Sequence, residues 1–285
     1  MKKYSIFSLV RNALDYHENW TEAWRSPEPK PEYDAIIIGG GGHGLATAYY
    51  LAKEHGLTNI AVLEKGWIGG GNTGRNTTIV RSNYAIEGNA HFYEKAMELW
   101  RGLTEDLNYH VMFSPRGVIN LAHNDGQVDA FQRRGNSMRL NGIDAEWMTV
   151  EEIAKRAPLL NTSKNARFPI YGGVCQPSAG TARHDAVAWG YARGADSRGV
   201  DIIQNCEVTG MKIEGGKIIG VETTKGFIGA KKVGVAVAGH TTQIFDMAGI
   251  RLPIESHKLQ AMVNEPVKPA LDTVITSGAA HCYIS

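Results

Sequence analysis

Apolar residues follow two different spacings along this chain, and each spacing predicts one kind of element. Residues 33–38 are almost continuously apolar, which is typical of a strand buried on both faces of a parallel sheet. Residues 42–55 then follow a helical period, and residues 60–63 form a second apolar run. Strand, helix and strand in this order predict a compact βαβ unit close to the start of the chain.

The same two spacings predict further elements downstream. The predicted helices cover 90–103, 125–140 and 185–198, and the predicted strands cover 118–122, 201–204, 207–208 and 232–238. Thr149 and Glu152 have the spacing of a capping box and predict the start of a helix. The pair Gly215-Gly216 predicts the turn of a hairpin over 211–223. This alternation of strands and helices indicates an α/β fold.

The two ends of the chain carry separate signals. Tyr4, Phe7, Val10 and Leu14 recur at helical spacing and predict a short amphipathic helix that docks on this chain or on a partner. The N-terminal run is too short and too interrupted for a signal peptide, and no run reaches the roughly 20 apolar residues that cross a bilayer. Residues 279–285 resemble the start of a strand, so we expect a fragment or a truncated reading frame.

Composition excludes several classes of function. Lys and Arg number 30 against 29 Asp and Glu, so a formal charge of +1 favours neither nucleic acid nor an anionic membrane surface. Three widely spaced cysteines without a CxxC pair argue against a disulfide framework and against a metal site, and favour the cytoplasm. Many of the 33 glycines cluster at 39–44 and 69–74, where the backbone is expected to approach a ligand closely.

The first glycine cluster, GGGGHG at 39–44, matches the G-x-G-x-x-G motif of dinucleotide sites. It follows the first predicted strand and opens the predicted helix, and Glu64 ends the next strand 20 positions after Gly44. In this arrangement Gly39 permits the turn, Gly41 lets a pyrophosphate approach the backbone, and Gly44 lets the helix pack on the strand. The helix N-terminus attracts the phosphates, and Glu64 accepts hydrogen bonds from the ribose hydroxyls.

The motif does not distinguish FAD from NAD, and the second glycine cluster favours FAD. Residues 69–78, GGGNTGRNTT, form a long polar loop that is rich in backbone donors. A flavin needs such donors for its pyrophosphate, its ribityl hydroxyls and its ring edge, whereas a nicotinamide has no obvious need of them. An ordinary surface loop remains the alternative, because glycine and threonine are common loop residues.

Longer strings carry a resemblance to a known family. The chain resembles the β subunits of heterotetrameric sarcosine oxidases, which are flavoproteins of the glycine oxidase and D-amino-acid oxidase type. The resemblance lies in the strings DAIIIGGGGHGLATAYYLA, VLEKGWIGGGNTGRNTTIVRSNY, QPSAGTARHDAVAWGYARGA and LPIESHKLQAMV, and it extends from about Tyr4 to Ser285. It implies a Rossmann-like FAD-binding domain with a discontinuous mixed-sheet substrate domain.

The resemblance also implies how the chain divides. Residues 1–31 are expected to be an N-terminal arm and linker. The FAD-binding domain is expected to combine 32–110 with 177–249. The substrate domain is expected to combine 111–176 with 250–285, the second part being incomplete.

Residue roles follow from the same resemblance. It implies a non-covalent FAD at positions that match family contacts, namely Gly42, His43, Glu64, Asn72, Thr78, Val80 and Val208. It also implies an FMN bound covalently to His184. A neutral imidazole, whose ordinary pKa is about 6.5, can attack the electrophilic 8α-methyl group of a flavin. Asp185 is expected either to orient the His184 ring or to cap the following helix.

The activity implied is the oxidation of sarcosine to glycine and formaldehyde or methylene-tetrahydrofolate, with oxygen reduced to hydrogen peroxide. Arg81 matches an arginine of the substrate region and is the candidate clamp for the substrate carboxylate, although a surface arginine or a structural ion pair is an equal alternative. Arg75 is a weaker candidate for the same role.

The resemblance further implies assembly with a large folate- and NAD-binding subunit and two small subunits. Two alternatives remain open. One is a dehydrogenase for dimethylglycine or another secondary amine, and the other is a non-catalytic flavin-binding subunit.

Overall fold

The computed structural model describes residues 5–16, 18, 22–84 and 86–285. The described chain separates into two units, and each is assembled from several segments. The first unit takes the chain up to Asn76 together with Glu105–His110 and His184–Ala261, and the second takes Thr77–Thr104, Val111–Arg183 and Met262–Ser285.

Seven α-helices lie in the described residues. They are α1 Ile6–Leu14, α2 Gly42–His55, α3 Glu87–Leu107, α4 Asp125–Leu140, α5 Val150–Arg156, α6 His184–Asp196 and α7 Thr241–Asp246. The capping box at α5 is confirmed, because the side chain of Thr149 accepts from the amide of Glu152 and the Glu152 carboxylate accepts from the amide of Thr149. Each predicted helix is confirmed within a few residues, whereas α7 has no counterpart in the prediction. Tyr4 lies outside the described residues.

Fifteen strands are described. They are β1 Glu32–Tyr33, β2 Ala35–Ile38, β3 Ile60–Leu63, β4 Ile79–Val80, β5 Val118–Ala122, β6 Glu146–Met148, β7 Gly172–Gln176, β8 Gly180–Thr181, β9 Asp201–Ile203, β10 Val208–Glu214, β11 Lys217–Thr223, β12 Gly226–Ala230, β13 Val233–Val235, β14 Val274–Ser277 and β15 Cys282–Ile284.

The first unit contains the parallel sheet that the apolar runs predict. Its strand order is β13-β2-β3-β9, and every neighbouring pair is parallel. All residues of β2 and β3 are buried, and α2 connects the two strands. The predicted βαβ unit is therefore confirmed.

A second sheet of the first unit has the order β1-β12-β11-β10. Its strands β10, β11 and β12 are antiparallel, and β1 joins them in parallel to β12. The predicted hairpin is confirmed: Gly215 and Gly216 form its turn with φ of 59° and 75°, a left-handed conformation that glycine adopts without steric cost.

The single strand predicted over residues 33–38 is wrong in one respect, because the structure divides it at Asp34. Tyr33 pairs with Ala230 in the second sheet, whereas Ala35 begins β2 in the parallel sheet. The side chain of Asp34 faces outward and accepts from Lys231 Nζ at 2.6 Å. The chain therefore passes from one sheet to the other at Asp34. The sequence pattern misses this single polar residue because the residues around it are apolar.

The second unit is built on a mixed five-stranded sheet, β15-β14-β5-β7-β6. β14 and β5 are parallel and the other neighbours are antiparallel. Strand β7 is buried throughout, yet it carries two glycines and Gln176 and therefore shows no apolar run. This explains why the sequence pattern misses the strand next to the sheet's centre.

The described units divide the chain at positions other than the expected domain bounds. Residues 77–104 lie in the second unit, because β4 pairs with β8 and the amide of Ser82 donates to Oε1 of Gln176 at 3.0 Å. The expectation placed 32–110 wholly in the FAD-binding domain. One of the breaks between the units falls at His184, where α6 begins.

Candidate functional site

A groove of about 920 Å³ opens in the first unit at the carboxyl ends of β2 and β3. Ile38 and Leu63, the last residues of these strands, line it together with the turns that follow them. Ligands of open parallel sheets bind at this edge, and the volume lies within the range of small-molecule sites. The groove is therefore the candidate cofactor site.

Two glycines, one in the turn after β2 and one in the first turn of α2, are required by close contacts. Gly39 has a φ of 109°, and a Cβ there would lie 2.4 Å from the backbone oxygen of Ala236. A Cβ on Gly44 would lie 1.9 Å from the backbone oxygen of Gly39. Gly44 itself is buried beneath the turn and does not line the groove, so its role is to let α2 pack against β2.

The N-terminus of α2 lines the groove, and its capping residue supplies no side chain. Gly41 is the capping residue and offers no side-chain oxygen, while the amide of Gly42 donates to Oγ1 of Thr73 at 2.9 Å. Both glycines line the groove, and so does His43. Amides and the positive end of a helix favour bound phosphate, so this geometry fits the pyrophosphate of FAD.

The carboxylate of Glu64 is held in the groove by two backbone amides. Its Oε2 accepts from the amide of Gly40 at 2.8 Å, and its Oε1 accepts from the amide of Gly66 at 2.9 Å. Each carboxylate oxygen keeps a second lone pair that can accept from a hydroxyl. The position fits an acceptor for the ribose of the adenosine half of FAD.

The second glycine cluster folds back onto the first. The amide of Gly69 donates to the backbone oxygen of Gly40 at 3.0 Å, and a short 3₁₀ helix spans Thr73–Arg75. Asn72, Thr73 and Arg75 line the groove as a result. The loop thus adds polar groups to the site, as a long flavin cofactor requires.

The remaining walls of the groove are mostly apolar. Cys206 and Val208 form part of one wall, and Val235, Ile244 and Met247 form part of another. Val208 is the only one of these that the sequence expectation includes. Cys206 lies between β9 and β10, and the other three come from β13 and the segment around α7; the position of β13 beside β2 is the signal that could have pointed to those three.

Three of the expected site residues lie in the second unit and not in this groove. Val80 lies in β4, where it pairs with β8, and Thr78 lies just before that strand. The backbone oxygen of Thr78 accepts from the amide of Ala182 at 3.0 Å. Arg81 follows β4. Its Nη1 donates to Oδ1 of Asn83, and its guanidinium carbon lies 5.0 Å from the centre of the Tyr84 ring.

His184 is the first residue of α6 and is half-buried in the first unit. Its Nδ1 is buried and has no hydrogen-bond partner within the described part of the chain. Asp185 therefore does not hold that ring nitrogen, and its Oδ1 accepts instead from the amide of Ala186 at 2.8 Å. An orphaned ring nitrogen at a helix start is compatible with a ring that is held by a bound group.

The described residues contain neither a candidate metal site nor a candidate membrane-spanning helix. Across residues 5–16, 18, 22–84 and 86–285, His, Cys, Asp and Glu side chains form no group of three that could hold a metal ion. The helices within those ranges are too short or too polar to cross a membrane.

Sequence comparison gives a consistent result. The family described as FAD dependent oxidoreductase matches residues 34–285. Sarcosine oxidase subunit beta of Rhizobium meliloti (strain 1021) is 62% identical over 283 residues, covering 99% of this chain and 68% of that protein. The subunit of the same name from Rhodobacter capsulatus is 52% identical over 285 residues, covering 100% of this chain and 69% of that protein. The chain thus spans about two thirds of the length of these relatives.

Comparison of folds agrees with the sequence. The crystal structure of L-proline dehydrogenase from P. horikoshii matches with a TM-score of 0.78 and 27% identity, covering 90% of this chain and 67% of that chain. The matched fold is an α/β arrangement with several sheets, as the sequence pattern indicates.

Proposed function

Because this chain belongs to the FAD-dependent oxidoreductase family, and within it to the β subunits of sarcosine oxidase, we propose that it oxidises sarcosine with an FAD whose ADP half lies in the groove of the first unit. One observation supports this proposal most strongly. The N-terminus of α2, whose capping residue Gly41 has no side chain, and the fixed carboxylate of Glu64 line the same groove, which is the combination that a pyrophosphate and its ribose require.

The chain's own residues provide binding and orientation. Gly41 and Gly42 present backbone to the pyrophosphate, and Glu64 accepts from the ribose. A bound flavin supplies an acceptor for the hydride equivalent that leaves the N-methyl carbon. The resulting substrate imine takes up water to give glycine and formaldehyde, or transfers its one-carbon unit to tetrahydrofolate, and two electrons with two protons reduce oxygen to hydrogen peroxide.

Arg81 is proposed to hold the substrate carboxylate. It is half-buried, and its described partners are the neutral side chain of Asn83 and the ring of Tyr84. A guanidinium group without a carboxylate partner can form a bidentate pair with a substrate carboxylate.

The complete enzyme is proposed to contain a large folate- and NAD-binding subunit and two small subunits. The relatives are named as subunits, which supports a multi-subunit assembly. We place the reaction in the cytoplasm, because Cys175, Cys206 and Cys282 all carry free thiols.

Anaerobic addition of sarcosine to the FAD-loaded chain is expected to bleach the visible absorption of the flavin, because the two electrons reduce it. Spectrophotometry in a sealed cuvette measures the change, and admitting air should restore the absorption and release peroxide. Bleaching by dimethylglycine in preference to sarcosine, or reoxidation by a dye but not by oxygen, would identify a dehydrogenase. If no amine reduced the flavin, the chain would be a non-catalytic flavin-binding subunit and the proposed oxidation would be wrong.

A second flavin, FMN, is proposed to be attached covalently to His184. The substitution His184→Asn is expected to remove the FMN adduct completely, because an amide does not attack the flavin methyl group. Mass spectrometry of the tryptic peptide from the FMN-loaded protein measures the adduct. His257→Asn is the control, since this exposed histidine lies elsewhere in the first unit and should leave the adduct intact. An unmodified His184 peptide in the wild-type protein would end the proposal.

A further inference from the structure

The segment that follows β9 runs alongside the segment that follows β3. The amide of Glu64 donates to the backbone oxygen of Ile203, and the backbone oxygen of Glu64 accepts from the amide of Cys206, both at 2.9 Å. The amide of Asn205 donates to the backbone oxygen of Gly66, also at 2.9 Å. Pairing thus continues beyond the ends of the two parallel strands, and it holds the backbone from which the Glu64 carboxylate projects.

The next link between these two segments is a side chain. Oε1 of Gln204 accepts from the amide of Ile68 at 2.9 Å. The backbone bonds form with any residue, whereas this bond needs an acceptor of the right length at position 204. Ile68 is only 6% exposed, so water has little access to replace that acceptor. Gln204 itself does not line the groove, so any effect that it has on a ligand passes through the turn that it holds.

The same turn, residues 64–69, also orients the carboxylate in the groove. The residue after the bonded amide, Gly69, donates to the backbone oxygen of Gly40 at 3.0 Å, and the amide of Gly40 donates to Oε2 of Glu64 at 2.8 Å. Within the turn, the amide of Gly66 donates to Oε1 of Glu64 at 2.9 Å. The two donors that orient the carboxylate therefore either belong to this turn or are bonded to it.

We propose that Gln204 is a positioning residue: by fixing the turn that orients Glu64, it sets the affinity of the groove for the adenosine ribose of the cofactor. This inference rests on the proposed FAD site, and it adds a residue that acts on the ribose only through Glu64. A carboxylate held in one orientation offers its free lone pairs to the ribose hydroxyls without a cost of ordering. A carboxylate on a loosened turn has to be ordered when the ligand binds, so part of the affinity is lost.

Removal of the acceptor at position 204 tests the positioning role. Gln204→Met keeps a side chain of similar length without the oxygen, so the Kd for FAD is expected to rise about tenfold. Fluorescence titration of the purified chain with FAD measures the change. Gln204→Glu keeps an oxygen acceptor at the same reach and should restore the affinity to within about threefold of the wild type. Gln260→Met is the matched control, because this glutamine of the first unit is exposed and its replacement should leave the Kd unchanged.

The 2′-hydroxyl of the ribose provides a readout that a general loss of stability does not change. ADP and 2′-deoxy-ADP differ by this one hydroxyl, and both are expected to compete with FAD for the groove. In the wild-type protein, loss of the hydroxyl should weaken binding about tenfold, because its bond to Glu64 is lost. In Gln204→Met the two nucleotides should differ by less than about threefold, as they should in Glu64→Ala, which has no carboxylate. A merely structural role of Gln204 would weaken both nucleotides equally and leave their ratio as in the wild type.

The outcomes of these measurements separate the positioning role from the proposed function. If the wild-type and Gln204→Met proteins discriminated equally between ADP and 2′-deoxy-ADP, or if Gln204→Glu failed to restore the affinity for FAD, the positioning role of Gln204 would be wrong. A wild-type protein that bound neither FAD nor ADP would overturn the cofactor site and this inference together. If sarcosine failed to reduce the bound FAD, only the proposed oxidation would be wrong, because nucleotide binding is measured without an amine.

Discussion

Gly44→Ala is expected to abolish FAD binding and to destabilise the first unit by at least about 3 kcal/mol. The added methyl group would lie 1.9 Å from the backbone oxygen of Gly39, which cannot rotate away as a flexible side chain can. Relief requires α2 to move off β2, and that movement displaces the amides that are proposed to bind the pyrophosphate. The affinity for FAD should therefore fall by more than about a hundredfold, as fluorescence titration of the purified protein with FAD would measure.

A matched glycine separates this contact from a general effect of alanine. Gly102 lies within α3, and a Cβ there has no heavy atom within 4 Å. Gly102→Ala should stabilise the protein by about 0.5–1 kcal/mol, because alanine is the better helix former, and should leave the affinity for FAD unchanged. If Gly44→Ala bound FAD within tenfold of the wild type, the close packing of α2 on β2 would not be what shapes the site.

Removing both cations that face Asp201 is expected to destabilise the first unit by about 3–5 kcal/mol. Asp201 is 2% exposed; its carboxylate pairs with Lys30 Nζ at 2.7 Å and Arg25 Nη2 at 3.2 Å, and it accepts from the hydroxyl of Tyr33. The double substitution Arg25→Met with Lys30→Met leaves a buried negative charge with one hydroxyl donor. Urea unfolding followed by circular dichroism measures the loss.

Replacing the Asp201 carboxylate itself should destabilise the first unit less than removing its two cations does. Asp201→Asn leaves the half-exposed Lys30 free to turn into water and leaves Arg25 paired with Asp196 at 2.7 Å, so a loss of about 1–2 kcal/mol is expected. Lys231→Met, which breaks the exposed pair with Asp34, should change the free energy of unfolding little. If the Arg25→Met, Lys30→Met variant were as stable as Asp201→Asn or more so, the buried carboxylate of Asp201 would not require these two cations.

The sequence predicts those parts of the fold that are encoded locally. The strands around α2 are continuous apolar runs, and the motif at 39–44 with Glu64 lies within 26 residues, so both emerge from the pattern alone. Strand β7 is hidden because its glycines and Gln176 break the apolar run. The change of sheet at Asp34 follows from the pairing of Tyr33 with Ala230, almost two hundred residues away. Long-range pairing of this kind leaves no periodic signal.

The candidate sites divide in the same manner. The glycine turn and Glu64 belong to one supersecondary unit, whereas the apolar wall of the groove comes from β13 and α7, far along the chain.

The two amides that hold Glu64 have a consequence for cofactor choice. Turning this carboxylate out of the groove would break its bonds to Gly40 and Gly66, so the negative charge is a fixed part of the wall. A dinucleotide that carries a phosphate on the adenosine ribose would bring a second negative charge against it. If Glu64 binds the adenosine ribose as proposed, the end of β3 therefore favours an unphosphorylated sugar and disfavours NADP-type molecules.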